Sequence, residues 1–337
     1  MVYSYFKQVI KYRIKMNIFI TGGCGFIGSH LCEYYLNKGH KVITVDNLSS
    51  GRLENIEALR KNASFSFVEA DILEWPDLKE TLKWADIIFH FAATVGMFNV
   101  VNDPISTLIN NLMGCQRLLK NMTEIKSDAI VVIASSSSVY GDSQTFSSEN
   151  DNLNIHRLSC STSTYPISKL ADEALAYAYI HRHQLNIILA RIFNTIGPRQ
   201  TDLYGMVVPR FIKQACSNEP ITIFGDGTQT RSFCDVRDVI KAMDMLIHEP
   251  KALGQSINIG NSSEISINDL AQLVRSQANS HSLIQYLSYE EAYGEHFIDI
   301  TQRCPDLSKL YHLTNFKHQW TLADTVGDLI ARKKQLT

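Results

Sequence analysis

The sequence predicts an α/β fold, a doubly wound parallel sheet with a smaller C-terminal α/β lid, on three observations. Short apolar, β-rich runs alternate with segments of helical period as far as residue 194. A glycine-rich turn joins the first run to the first helix. Beyond residue 195 the alternation gives way to shorter, loop-rich segments. Strands that alternate with helices imply parallel β-α-β units with right-handed crossovers.

The elements follow in order. NIFIT (17–21) is the first strand, and GFIGSHLCEYYLNKG (25–39) is a helix that stops on glycine. KVITVDN (41–47) and SFSFVEAD (64–71) are the second and third strands, followed by a polar helix from Trp75 to Trp84. ADIIFHFAA (85–93) is the fourth strand, residues 104–122 a helix, AIVVIASS (129–136) the fifth strand. A long helix (165–183) and a sixth strand (186–194) complete the alternating part. MVVPRFIKQACSNE then suggests a helix, and PITIFGDGTQTRSFCDV a strand–turn–strand. SINIGNSSEISINDLAQLVRSQ suggests a strand, then Ser266 or Asn268 as N-cap of a helix.

Composition excludes several classes. The 337 residues are 45% hydrophobic and 20% charged with net charge −2, which gives no reason to expect nucleic acid or an anionic membrane as partner. No apolar run is long enough to span a bilayer. The seven cysteines are scattered without a C-x-x-C pair, which argues against a disulfide framework or zinc site and for a reduced, cytoplasmic setting. Residues 1–15 are basic and aromatic without a continuous apolar core. They are expected to be a disordered or misassigned extension rather than a secretory signal, with a membrane-surface helix as the alternative.

ITGGCGFIGSH places Gly22, Gly25 and Gly28 between strand and helix. Glycines let the backbone touch a pyrophosphate, and the helix-opening amides around Phe26 and Ile27 face its charge. Asp46 ends the second strand 18 residues after Gly28, with Asn47 beside it. A carboxylate there hydrogen-bonds ribose hydroxyls and repels a 2′-phosphate, which favours NAD over NADP, although Arg52 lies nearby. Asp71 and Ile72 end the third strand where an adenine would lie; a solvated surface carboxylate would fit the same position. Ala92 and Ala93 end the fourth strand, small enough for close approach to a cofactor.

STYPISK holds Tyr165 and Lys169 one helical turn apart. An ammonium beside a phenol favours the phenolate, which then takes a proton near neutral pH. The same spacing occurs on ordinary helix faces. Its position raises its weight, because the helix follows a strand that ends in the serines 135–138.

Together the glycine motif, Asp46, HFAA, the serine strand end with VYG, Y-x-x-x-K and RIFNTIGPR resemble the extended short-chain dehydrogenase/reductase family, and more narrowly its nucleotide-sugar epimerase/dehydratase branch. YGMVVPRFIKQA, ITIFGDGTQTRSF and RCPDLSK extend the resemblance over about residues 16–330. It implies a Rossmann NAD-binding domain over 16–194, a mainly nucleotide-sugar-binding region over 195–337, and a nucleoside-diphosphate sugar as substrate. It makes Ser136, Tyr165 and Lys169 the catalytic set, with Lys169 also on the nicotinamide ribose. Asn194 resembles a sugar-phosphate ligand, and Arg231 and Arg303 resemble the arginines that hold the diphosphate or ribose; surface or structural ion pairs are the plainer alternative for both. Val208 joins this substrate set. Asn111 resembles a helix asparagine that organises the site, and a buried structural asparagine is the alternative. Val95, Gly96 and Met97 occupy the loop facing the hexose, and Met97, Phe98 and Leu203 would shape that pocket.

The strand end departs from parts of the family. In the 4,6-dehydratases of this branch the two positions after the catalytic Ser/Thr carry Asp-Glu, and in the UDP-glucuronate decarboxylases the second carries Glu. Here they are Ser137 and Ser138, small polar neighbours for a sugar ring that cannot replace a carboxylate as acid or base. The 4-epimerases resemble this run more closely, whereas VVPRFIKQA, TQTRSF and R-x-P-D-x-S-K look decarboxylase-like. The expectation is therefore an NAD-dependent UDP-sugar 4-epimerase, with UDP-glucuronate decarboxylase as the alternative and a non-catalytic binder behind both. The resemblance also implies a homodimer through helices 104–122 and 165–183, in which Ala174, Leu175, Ala178 and Tyr179 would face a partner or be buried within the chain. No metal is expected.

Overall fold

The computed structural model describes residues 15–95, 100, 102–141, 146–155, 158, 163–201, 206–293 and 302–335. Most of the extension, together with Gly96, Met97, Phe98 and Leu203, lies outside the described residues.

Seven parallel strands form the main sheet: β1 (Asn17–Thr21), β2 (Lys41–Asp46), β3 (Phe65–Glu69), β4 (Ile87–His90), β5 (Ile130–Ser136), β6 (Ile187–Ile192) and, later in the chain, β11 (Gln255–Ile259). Their spatial order is β11-β6-β5-β4-β1-β2-β3. The order reverses between β1 and β4, so their C-terminal ends open a crevice. Helices α1 (Phe26–Asn37), α2 (Leu78–Trp84), α3 (Pro104–Glu124) and α4 (Thr164–His183) connect the strands. The strands are apolar on both faces because both faces are covered. One core joins Ile18, Ile20, Leu31, Tyr35 and Phe89; the other joins Phe19, Ile88, Leu118, Met122 and Val131.

Several boundaries differ from the sequence expectation. The polar helix begins at Leu78 rather than Trp75, because Pro76 disfavours helical backbone at the residue before it. The fourth strand stops at His90, and Ala92 and Ala93 follow it in irregular backbone. There the Phe91 amide still donates to the Thr21 carbonyl, and the Thr21 hydroxyl accepts from the Phe91 and Ala92 amides. Likewise the third strand stops at Glu69, two residues before Asp71.

Within 195–337 the chain partly returns to the large sheet. After β7 (Thr195–Ile196), α5 (Val207–Cys216), β8 (Ile221–Phe224), β9 (Thr230–Ser232) and β10 (Cys234–Asp235), helix α6 (Val236–Ile247) packs into the main core and β11 pairs with β6. The expected strand–turn–strand at 220–236 does not pair with itself: β8 pairs with β13 (Ile284–Leu287), and β9 lies between β12 (Glu264–Ser266) and β14 (Gln302–Arg303). Gly225 and Gly227, both at positive φ, turn the chain between these small sheets. Ser266 is the N-cap of α7 (Ile267–Ala278), its hydroxyl accepting from the Asp269 amide. A separate core of Val208, Phe211, Ile223, Leu270 and Val274 holds this region together. No helix among the described residues is long and apolar enough to cross a membrane.

Candidate active site

One cavity of about 730 Å³ lies along the crevice at the C-terminal ends of the strands. At one end the glycine turn sets its floor. Gly22 has φ +76, and a Cβ there would stand 2.7 Å from the Ala92 nitrogen. A Cβ on Gly28 would stand 2.1 Å from the Gly22 carbonyl oxygen, a backbone-on-backbone clash no rotamer relieves. This turn therefore needs glycine for its own closure, and the closure brings the α1 amides of Phe26 and Ile27 to the cavity wall.

Asp46 closes the same end. It is 8% exposed and accepts from the Cys24 amide at 2.9 Å and the Leu48 amide at 2.8 Å. Burial raises its carboxyl, against the pull of those two amides. Asn47 donates to Asp71 at 2.9 Å, linking the two carboxylate-bearing loops, and Ile72 lies beside them. Ala92 and Ala93 line the opposite side. A glycine cradle at a helix start, a ribose-range carboxylate and a small-residue wall fit an NAD molecule laid across the switch point. Those residues would hold its pyrophosphate and adenosine, and Lys169 its nicotinamide ribose.

The middle of the cavity carries Ser136, Ser137, Ser138, Tyr165 and Lys169. Ser136 accepts from the Ser138 amide at 3.2 Å, so the strand end curls into one turn of 3₁₀ helix and presents its hydroxyls inward. Ser138 is 8% exposed, and its hydroxyl has no hydrogen-bond partner among the described residues. Tyr165 and Lys169 stand one turn apart on α4. Lys169 is buried; burial pushes its ammonium down, and the Asp172 and Tyr165 side chains outweigh that and hold it above the ordinary lysine value.

The far end is basic. Arg231 on β9 and Arg303 on β14 are register partners, and both line the cavity. Arg231 donates from Nη1 to the Thr230 carbonyl at 2.7 Å, and planar guanidinium groups on neighbouring strands suit an anion such as a diphosphate. Asn194, whose side-chain amide donates to the Ser232 carbonyl at 3.2 Å, and Val208 on α5 also line the cavity, as does Val95. Asn111 does not line the cavity. It is 2% exposed, accepts from the Thr94 amide at 2.7 Å and donates to Ser168 at 3.0 Å, tying the loop after β4 to α4. Among the described residues, the carboxylates on the cavity wall are Asp46 and Asp71 alone, both at the adenosine end.

The fold brings further residues to or beneath the site, to which the sequence alone gave no role there. Arg199 pairs with Glu33 at 2.6 Å and Arg52 donates to Thr201 at 3.2 Å, so the loop after β7 straps across to the cofactor side. Beneath the serines, Glu173 takes the Nε and Nη2 of Arg191 at 2.9 and 2.7 Å and the Ser135 hydroxyl. Arg191 also donates to Tyr140 at 2.9 Å, which donates to Asn258 at 2.7 Å. The sequence signal for Glu173 was its place one turn beyond Lys169; nothing in the sequence paired it with Arg191.

Comparison with known proteins agrees with this geometry. The family model described as the NAD dependent epimerase/dehydratase family matches residues 18–260. The chain is 35% identical over 308 residues to a UDP-N-acetyl-alpha-D-glucosaminuronate decarboxylase of Bacillus cytotoxicus, covering 90% of this chain and 93% of that one. It is 33% identical to UDP-glucuronic acid decarboxylase 1 of Danio rerio, covering 88% of this chain and 67% of that one. Among solved structures, a UDP-glucuronic acid 4-epimerase from Bacillus cereus, crystallised with UDP-glucuronic acid and NAD, superposes with a TM-score of 0.85 at 32% identity over 96% of this chain and 100% of the other. The cradle, the Y-x-x-x-K helix and these matches place the chain in the NAD-dependent epimerase/dehydratase family.

Proposed function

We propose that the protein is a nucleotide-sugar 4-epimerase acting on a nucleoside-diphosphate hexose, with UDP as the favoured nucleotide. One observation carries this reading: around Ser136, Tyr165 and Lys169 the described cavity wall offers no carboxylate. Chemistry at C5 or C6 needs a general acid or base beside the ring, and a serine hydroxyl is too weak an acid to serve. Proton exchange at a C4 hydroxyl needs only the phenol.

Bound NAD supplies a reversible hydride acceptor at C4. Tyr165 takes the C4 hydroxyl proton, with Ser136 as the bridging hydroxyl and Lys169 one helical turn away on the same face. Arg231 and Arg303 hold the diphosphate at the far end. With that anchor fixed, rotation of the sugar would turn the opposite face of C4 toward the nicotinamide side of the cavity, where the hydride returns to carbon, while Tyr165 returns the proton to the C4 oxygen. Ser137 and Ser138 leave room for the turning ring.

UDP-glucuronate decarboxylation is the second reading, favoured by the decarboxylase names of the relatives. An NMR time course with UDP-glucose, UDP-N-acetylglucosamine and UDP-glucuronate, each without added cofactor, separates the two. Epimerisation gives a second anomeric signal of galacto stereochemistry. A pentose from UDP-glucuronate refutes the epimerase reading, and no change in any of the three refutes the choice of UDP or of these sugars.

We also propose a homodimer through α3. Ile105, Ile109 and Met113 recur every fourth residue and are 72%, 52% and 47% exposed, an apolar stripe beside α4. Of the α4 positions, Ala174 and Ala178 face outward, whereas Leu175 and Tyr179 pack against the core. Light scattering at micromolar protein should give twice the chain mass; a monomer mass refutes the dimer. The six described cysteines are free thiols, which supports a reducing, cytoplasmic setting.

A further inference from the structure

Two adjacent carboxylates are buried on α4, and they are held differently. Glu173, 3% exposed, has both oxygens engaged, by Arg191 and the Ser135 hydroxyl. Asp172, 1% exposed, meets Lys169 at 3.2 Å through Oδ2, while its Oδ1 has no hydrogen-bond partner among the described residues. Lys169 and Asp172 are three residues apart, so both side chains share the helix face that also carries Tyr165. A buried carboxylate with one unsatisfied oxygen is costly as a structural element. What keeps it there is the lysine charge.

We propose that Asp172 is a positioning residue for the proton-transfer pair: its carboxylate anchors the Lys169 ammonium and offsets part of the charge that Tyr165 feels. This rests on the reading of Tyr165 and Lys169 as that pair, and not on the identity of the sugar. The neighbouring charges are few. Cys115 faces Asp172 from α3, His90 faces Lys169 from β4, and Glu173 on the same helix is neutralised by Arg191 from β6. Burial holds the Cys115 thiol protonated and the His90 ring neutral. Asp172 is therefore the anion that faces Lys169 at hydrogen-bond distance.

The sign follows directly. Removing a negative charge lets every neighbouring group release its proton more readily. In the Asp172→Asn holoenzyme, both limbs of the pH–rate profile should move to lower pH, by about one unit. Asp172→Ala should move them the same way. A carboxylate that serves packing alone would lower the melting temperature and leave both limbs in place, and that result overturns the proposal. The unmodified enzyme gives a further arm that needs neither folding of a variant nor a known sugar. With nitrogen-15-labelled lysine, the Lys169 resonance, assigned by its loss in Lys169→Met, should titrate at or above the ordinary lysine value of about 10.4. Titration clearly below that value overturns the proposal. Absence of turnover on all sugars would count against the function and leave this resonance as the test of Asp172.

Discussion

Ser138 shows how little a single side chain needs to do for stability and how much it can do for binding. Its hydroxyl is buried without a hydrogen-bond partner among the described residues. Such a group costs free energy until a ligand satisfies it. Ser138→Ala should therefore leave thermal stability unchanged or slightly raised, while the KM for the sugar rises about fivefold, the equivalent of about 1 kcal/mol for one hydrogen bond. Thermal melts and steady-state kinetics on the same preparation check this; a lowered melting temperature would show that the hydroxyl has a structural partner. Gly28 is the opposite case. A Cβ there would stand 2.1 Å from the Gly22 carbonyl oxygen, and the close approach exists only once the turn has closed.

At the scale of elements, α4 is tied to the sheet through Glu173, beside a second tie from Tyr177 to Ser256. Tyr165, Lys169 and Glu173 recur every four residues along α4. The last grips Arg191 on β6 and Ser135 on β5, one residue before Ser136. This grip thereby fixes the level of α4, and of Tyr165 on it, against the strand end that carries Ser136. Glu173→Gln leaves the Arg191 charge buried without its counter-ion, since the remaining contact named for that guanidinium is the Tyr140 hydroxyl. Stability should fall by about 3–5 kcal/mol. Urea unfolding followed by circular dichroism measures this, and the double variant Glu173→Gln with Arg191→Met should lose less than the sum of the singles.

For the molecule as a whole, buried neutral histidines make folding sensitive to acid. His90, 5% exposed, shares a 2.8 Å hydrogen bond with the Thr21 hydroxyl; burial and the Lys169 charge push it down to about 3. His30, beside the Pro198 carbonyl, is pushed down to about 4 by burial. In both cases the unfolded chain binds the proton that the folded chain refuses. Stability is therefore complete above the unfolded histidine value of about 6.5 and is lost as pH falls below it. Between pH 6.5 and 5 the His90 contribution is about 2 kcal/mol. His90→Gln should reduce the loss of unfolding free energy between pH 7 and 5, read from urea titrations, by about that amount; an unchanged slope would mean the ring is protonated in the folded state.

The sequence by itself determined the local chemistry: strand and helix periods, the glycine turn that only glycine can close, the Y-x-x-x-K spacing and the loss of carboxylates after Ser136. These are legible because each depends on residues within a few positions of one another. The tertiary structure alone decided what lies far apart in the chain and close in space. It returned helix α6 to the main core and strand β11 to the large sheet, set Arg231 beside Arg303, and joined Glu173 to Arg191. It also showed that Asn111 braces the site from behind rather than facing it. Pairing across strands and burial of charge are set by how whole layers pack, and no short window of sequence carries that information.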